Sequence, residues 1–195
     1  MNRPTSQAIN SPVPVFAFWV YLMSDLVLFA SLFATYAVLK DNTFGGPSGA
    51  QLFNMPLILL ATIILLTSSL SAALALQAAR LGNQAGTLGW LGLTFFLGAA
   101  FLYLEIAEFS KFVGEGHGWQ TSGFLTAFFT LVGTHGLHIS LGMIWMLLSG
   151  VHVLMRGLNR HTALRLGQLV TFWHFLDVVW IFIFTIVYLM GVNQL

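Results

Sequence analysis

Seven ionisable residues lie in stretches that are otherwise almost wholly apolar: Asp25 in YLMSDLVLF, Glu105 and Glu108 in LYLEIAEF, His135 and His138 in VGTHGLHIS, and His174 and Asp177 in FWHFLDVVW. Carboxylates and imidazoles in such surroundings can serve three kinds of chemistry. They can fasten helices to one another by hydrogen bonds and ion pairs. Three histidines can supply axial or facial ligands to a haem or metal, although no Glu and His here share the Glu-x-x-His motif of di-iron bundles. They can also relay protons or ions through a transporter, although the spans lack the paired Pro/Gly breaks of discontinuous transporter helices. Other chemistry is excluded, because the chain has no G-x-S-x-G elbow, no glycine-rich phosphate loop leading to a lysine and no HExxH.

The spacing narrows the geometry. Glu105/Glu108, His135/His138 and His174/Asp177 are each three residues apart, so both members of a pair share one side of a helix. Three helices are thus expected to turn a polar face inward. A charged group at the centre of a span costs ~2.5 to 3.5 kcal/mol on insertion scales, so each should meet protein or water. At 1.5 Å rise per residue, His174 and Asp177 fall roughly 9 to 14 Å from the start of a helix beginning near residue 168. The glutamates fall near the far end of helix three, with the helix-four histidines between these levels. Contact of either Glu with His135 or His138 is therefore favoured over contact with Asp177.

The elements that carry these residues follow from composition. Of 195 residues, 57% are hydrophobic and 7% charged, against about 25% charged in soluble domains. The chain is an integral membrane protein of the all-α class. Runs long enough to cross a hydrocarbon core of about 30 Å cover roughly 16 to 39, 56 to 79, 88 to 110, 123 to 154 and 168 to 191. They form one five-helix unit over 16–193, preceded by a polar tail at 1–15. That first run is too long for a signal peptide and is expected to remain as a span. The connections DNTFGGPSGAQLFNMP, RLGNQAG, GEGHGWQTSG and RGLNRHTALRLG carry the breakers expected at membrane surfaces. Arg3, Arg80, Arg156, Arg160 and Arg165 fall on one side and Lys40 and Lys111 on the other, which places the N-terminus in the cytoplasm and the C-terminus outside.

With a formal net charge of +1 and scattered basic residues, the chain has no stripe for nucleic acid. The absence of cysteine excludes disulfides, iron-sulfur clusters and thiolate zinc sites. Ser71, Ala75 and Ala79, beside Ser68 and Ala72, give helix two a small-residue face for close packing. Trp19, Trp90 and Trp119 are read as interfacial anchors. Trp145, Trp173 and Trp180 lie deeper and are expected to pack between helices.

The stretches FWVYLMSDLVLFASLFATYAVL, FLYLEIAEF, SGFLTAFFTLVGTHGLHISLGMIWM and FWHFLDVVWIFIFTIVYLMG resemble subunit III of the haem-copper respiratory oxidases, most closely that of bacterial cytochrome o-type ubiquinol oxidases. The resemblance runs from about residue 16 to 193, and THGLH and WHFLDVVW are its most specific stretches. It implies a non-catalytic subunit of a complex in the bacterial cytoplasmic (inner) membrane. Haems and copper are then expected in subunit I, with none in this chain. Subunits I, II and IV are the implied protein partners, and phospholipid held between helices is implied as well. The family role is to sustain proton uptake and protect the catalytic subunit during turnover.

The family's helix-three carboxylate maps onto Glu108, with Glu105 a rival one turn earlier. The His of THGLH and the His/Asp of WHFLDVVW map onto His135, His138, His174 and Asp177, and Asp25 matches the quinol-branch SD motif. The alternatives are subunit III of a cytochrome c or menaquinol oxidase or, from another class, an independent membrane cytochrome or transporter. Two departures stand out. Helix two reads LILLATIILL, with Ala61 where relatives commonly carry a polar residue, which argues against a part for this helix in a polar network. Five spans rather than seven also mean that a lipid cleft between helix pairs does not carry over unchanged.

Overall fold

The computed structural model describes residues 13–44 and 52–192. The segment 1–12 of the polar tail lies outside the described residues. The described chain is helical, with five helices long and apolar enough to cross a membrane and, among the described residues, no strand. They are α1 Val13–Leu39, α2 Met55–Arg80, α3 Gln84–Gly114, α4 Gly123–Arg156 and α5, which runs from Arg160 to Ile183 and continues through a π-helical stretch, Phe184–Leu189, to Val192.

Three of the helix starts are set by side-chain caps. Asn83 accepts from the Gly86 amide, Ser122 from Leu125 and Asn159 from Thr162, each filling a donor the first turn leaves open. Asn159 explains why helix five begins at Arg160 and not near 168. The stretch RHTALRLG reads as an arginine-bearing loop, yet it is capped and turns Leu166 into the core. Gly157, at φ +68°, ends α4 in a conformation other residues adopt at a cost, and leaves only a short connection to α5.

Helices α2 and α3 form a tight hairpin through Gly82 at φ +73° and share the most extensive interface in the bundle. Helix α4 is central and packs against α1, α3 and α5, while α5 also packs on α2. The small-residue face of α2 is buried at Ser68, Ser71, Ala72, Ala75 and Ala79 as expected. Trp173 and Trp180 are buried between helices, whereas Trp19, Trp90 and Trp119 are exposed.

The π-helical stretch alters which residues face inward. Five residues along an α-helix rotate the side chain by about 140° from its start, but an i to i+5 turn brings it almost back to the same side. Ile183 and Tyr188 are accordingly both fully buried. The Tyr36 hydroxyl of α1 donates to the Val187 carbonyl within this stretch at 3.4 Å.

Candidate functional site

Six of the seven ionisable residues are buried: Asp25, Glu105, Glu108, His135, His138 and Asp177. They do not converge. Each meets a different neighbour, usually across a helix boundary.

Asp25 on α1 faces His138 on α4, with Oδ2 3.7 Å from Nε2, an electrostatic contact just beyond hydrogen-bond length. His138 Nδ1 lies 2.8 Å from the Thr134 carbonyl, which can only accept, so Nδ1 carries a hydrogen and Nε2 is the nitrogen turned to Asp25. Two proton arrangements make that contact attractive. Either an imidazolium faces a carboxylate or a carboxylic acid faces a neutral imidazole, and in both the pair shares one proton and has no net charge. Phe29 closes over the pair, its ring 5.2 Å from that of His138.

His135, one turn earlier on α4, is fully buried in an aromatic box. Its ring stacks on Trp180 at 5.4 Å and 28°, and Phe101 meets it edge-on at 6.1 Å and 89°. Neither ring nitrogen has a hydrogen bond among the described residues. His135 here acts as an aromatic packing element.

Glu105 on α3 reaches α4 at the glycine of THGLH. A Cβ at Gly136 would stand 2.8 Å from Glu105 Oε2, so the missing side chain is what admits the carboxylate between His135 and His138. Neither Glu105 oxygen has a hydrogen bond among the described residues. A cavity of about 10 Å³ adjoins Glu105 and Glu108 and is walled by Ile58, Ala61, Phe101 and Trp180, close to the lower limit for a single water. Glu108 accepts a hydrogen bond from the Tyr188 hydroxyl at 3.2 Å, made possible by the π-helical turn. The favoured contact of the glutamates with α4 is therefore found for Glu105, but through Gly136 and not through an imidazole.

On α5, Asp177 turns inward toward Ser69 of α2, and neither carboxylate oxygen has a hydrogen bond among the described residues. His174 does not accompany it. Residues three apart differ by about 60° around a helix, and the edge of the buried arc of α5 passes between the two, leaving His174 exposed. Its Nδ1 bonds to the Val170 carbonyl at 2.7 Å. Because α5 begins at Arg160, His174 also lies deeper than expected, about 21 Å along the helix.

Helix two does join the polar network, through hydroxyls. The Trp173 indole donates to Ser68 Oγ at 3.0 Å, the Trp180 indole to Thr62 Oγ1 at 3.0 Å, and Ser71 and Thr94 share a bond of 2.8 Å between α2 and α3. The signal was present in the sequence: two tryptophans seven apart on one helix, and Thr62 and Ser68 about as far apart on another. Trp173 is further keyed between helices by glycine. A Cβ at Gly98 of α3 would stand 2.9 Å from the indole, and one at Gly142 of α4 would stand 3.1 Å away.

Among the described residues no group of three or more His, Cys, Asp or Glu is disposed to hold a metal ion. The arrangement can bind helix to helix, through Asp25/His138 and through Glu108/Tyr188.

The family model for cytochrome c oxidase subunit III matches residues 8–192. The chain is 54% identical over 177 residues to the cytochrome bo(3) ubiquinol oxidase subunit 3 of Pseudomonas aeruginosa, covering 91% of this chain and 85% of that one. It is 51% identical over 174 residues to the cytochrome c oxidase subunit 3 of Bacillus sp. strain PS3, covering 89% and 84%. To the quinol oxidase subunit 3 of Bacillus subtilis it is 42% identical over 195 residues, covering 100% and 96%.

Proposed function

The chain belongs to the cytochrome c oxidase subunit III family, and we propose that it is the non-catalytic third subunit of a proton-pumping terminal oxidase that passes electrons from ubiquinol to oxygen. The observation that carries this reading is how the buried ionisable groups are used. Asp25 meets His138, Glu105 meets Gly136, Glu108 meets Tyr188 and Asp177 faces Ser69, each joining two different helices. Polar groups spent this way hold a bundle together, and they support a subunit that stabilises a neighbour and does no redox chemistry of its own.

The chain sits in the bacterial cytoplasmic membrane with its N-terminus inside. It packs against subunit I, with subunits II and IV in the same complex, and sustains proton uptake there. A cavity of about 360 Å³ between the end of α4 and the start of α5 has apolar walls from Trp145, Leu148 and Leu166, with His152 and Arg165 beside them. A cation beside an apolar wall suits a phospholipid, phosphate at the rim and acyl chain along the helices. Haems and copper reside in subunit I.

The test is an absorption spectrum of the purified chain beside that of the complex with and without it. The expected result is a chain with no haem band and a complex whose haem spectrum survives its removal, while activity decays faster during turnover. A haem band in the isolated chain would overturn the reading. A specific observation favours a second branch, since the relative from strain PS3, at 51% identity, is a cytochrome c oxidase subunit. Oxidation of ubiquinol but not of reduced cytochrome c by the purified complex separates the two.

A further inference from the structure

His174 lies within the apolar part of α5, about 9 Å beyond Gln168 and about 21 Å from Arg160, and its side chain is exposed on the outside of the bundle. Ionisable residues at that depth almost always face protein or a water-filled cavity and have a partner. The same outward stripe of α5 carries Thr171, Val178, Ile181, Phe182 and Thr185. Its other polar groups are already used: Thr171 donates to the Gly167 carbonyl and Thr185 to the Ile181 carbonyl. His174 Nδ1 is used as well. The Val170 carbonyl can only accept, so Nδ1 bears the hydrogen, and in the neutral ring Nε2 is a bare acceptor turned outward.

We propose that this stripe of α5 is a docking face for a transmembrane helix of another subunit of the oxidase, and that the partner helix presents an O–H or N–H donor to His174 Nε2 within the hydrocarbon region. The inference rests on the subunit reading above and deepens it by naming the face. Lipid does not meet the requirement, because acyl chains offer no donor at that depth. The charged end of α4 and α5, with Arg156, Arg160 and Arg165, is too far along the helix to supply one.

The test uses the whole complex in native membranes. A photoreactive benzoylphenylalanine at Val178, with His174 unchanged, is expected to cross-link to another subunit. Adducts with lipid alone, or with a second copy of this chain, would overturn the proposal. In parallel, His174→Leu is expected to weaken retention of the chain by the complex on detergent titration about three- to twentyfold, the range for one hydrogen bond between membrane helices. His174→Gln, which keeps an acceptor, is expected to retain more. Equal retention of His174→Leu and wild type would overturn the hydrogen-bonded contact. Failure of the wild-type chain to co-purify with a haem-bearing subunit would instead bring down the subunit reading, and this inference with it.

Discussion

Substituting Gly98→Ala is expected to destabilise the bundle although alanine is the better helix former. The added methyl would stand 2.9 Å from Trp173 Cη2 and 3.0 Å from Cζ2, where ordinary contact begins at 3.4 Å, so the ring must retreat by about 0.5 Å. It has little room. Trp173 is fully buried, its indole is tied to Ser68 at 3.0 Å, and on the far side the ring already lies so close to α4 that a Cβ at Gly142 would be 3.1 Å from it. Overpacking of this kind costs about 1 to 3 kcal/mol, and strain on the indole bond adds up to the ~0.6 to 1.7 kcal/mol of a membrane hydrogen bond. The helix-propensity gain of about 1 kcal/mol offsets part of this. The net loss is about 1 to 3 kcal/mol, read by SDS-titrated unfolding of the chain in detergent micelles. Gly89→Ala and Gly92→Ala, on the same helix with nothing within 4 Å of the new methyl, are the controls and should be neutral or slightly stabilising. Trp173→Phe should relieve the clash in the Gly98→Ala background. A Gly98→Ala chain as stable as the two controls would refute the keyed-ring argument.

Three further outcomes are expected. A double-mutant cycle with Asp25→Asn and His138→Gln should give a coupling of about 1 kcal/mol in the same unfolding assay, whereas additive losses would mean that the 3.7 Å contact carries no energy. Tyr188→Phe removes the one donor to Glu108 Oε2 among the described residues and should cost about 1 to 3 kcal/mol, and the further change Glu108→Leu should recover part of it by removing the unpaired buried oxygen. Asn159→Ala should lose about 1 kcal/mol and raise amide exchange in the first turns of α5 only, since the cap serves that end alone.

The five spans were legible because hydropathy over twenty residues is a summed signal, and depth arithmetic brought Glu105 to the level of α4, although it meets Gly136 there and not a histidine, and Glu108 turns to Tyr188. What escaped depends on single atoms. The start of α5 was hidden by two arginines and a histidine within RHTALR and revealed only by an asparagine cap. The division between Asp177 and His174 follows from where neighbouring helices stop covering α5, which an i, i+3 spacing does not encode. The part played by α2 was not legible because the expected polar position holds Ala61, and it is the neighbouring hydroxyls of Thr62, Ser68 and Ser71 that make the bonds. The slot at Gly136 and the inward turn of Tyr188 rest on a missing side chain and a wide helical turn, and neither leaves a trace in hydrophobic periodicity.

The seat of Trp173 has a consequence for biogenesis. Its walls come from Ser68 on α2, Gly98 on α3 and Gly142 on α4, all made by the ribosome before α5. A nascent chain of four helices therefore already holds the receptor in which the fifth is to dock. The fifth helix brings its own polar load, Asp177, which is buried in the assembled bundle. Insertion in chain order thus ends with the step that locks the other four, and damage to the seat should show first as chains whose last helix fails to stay in the membrane.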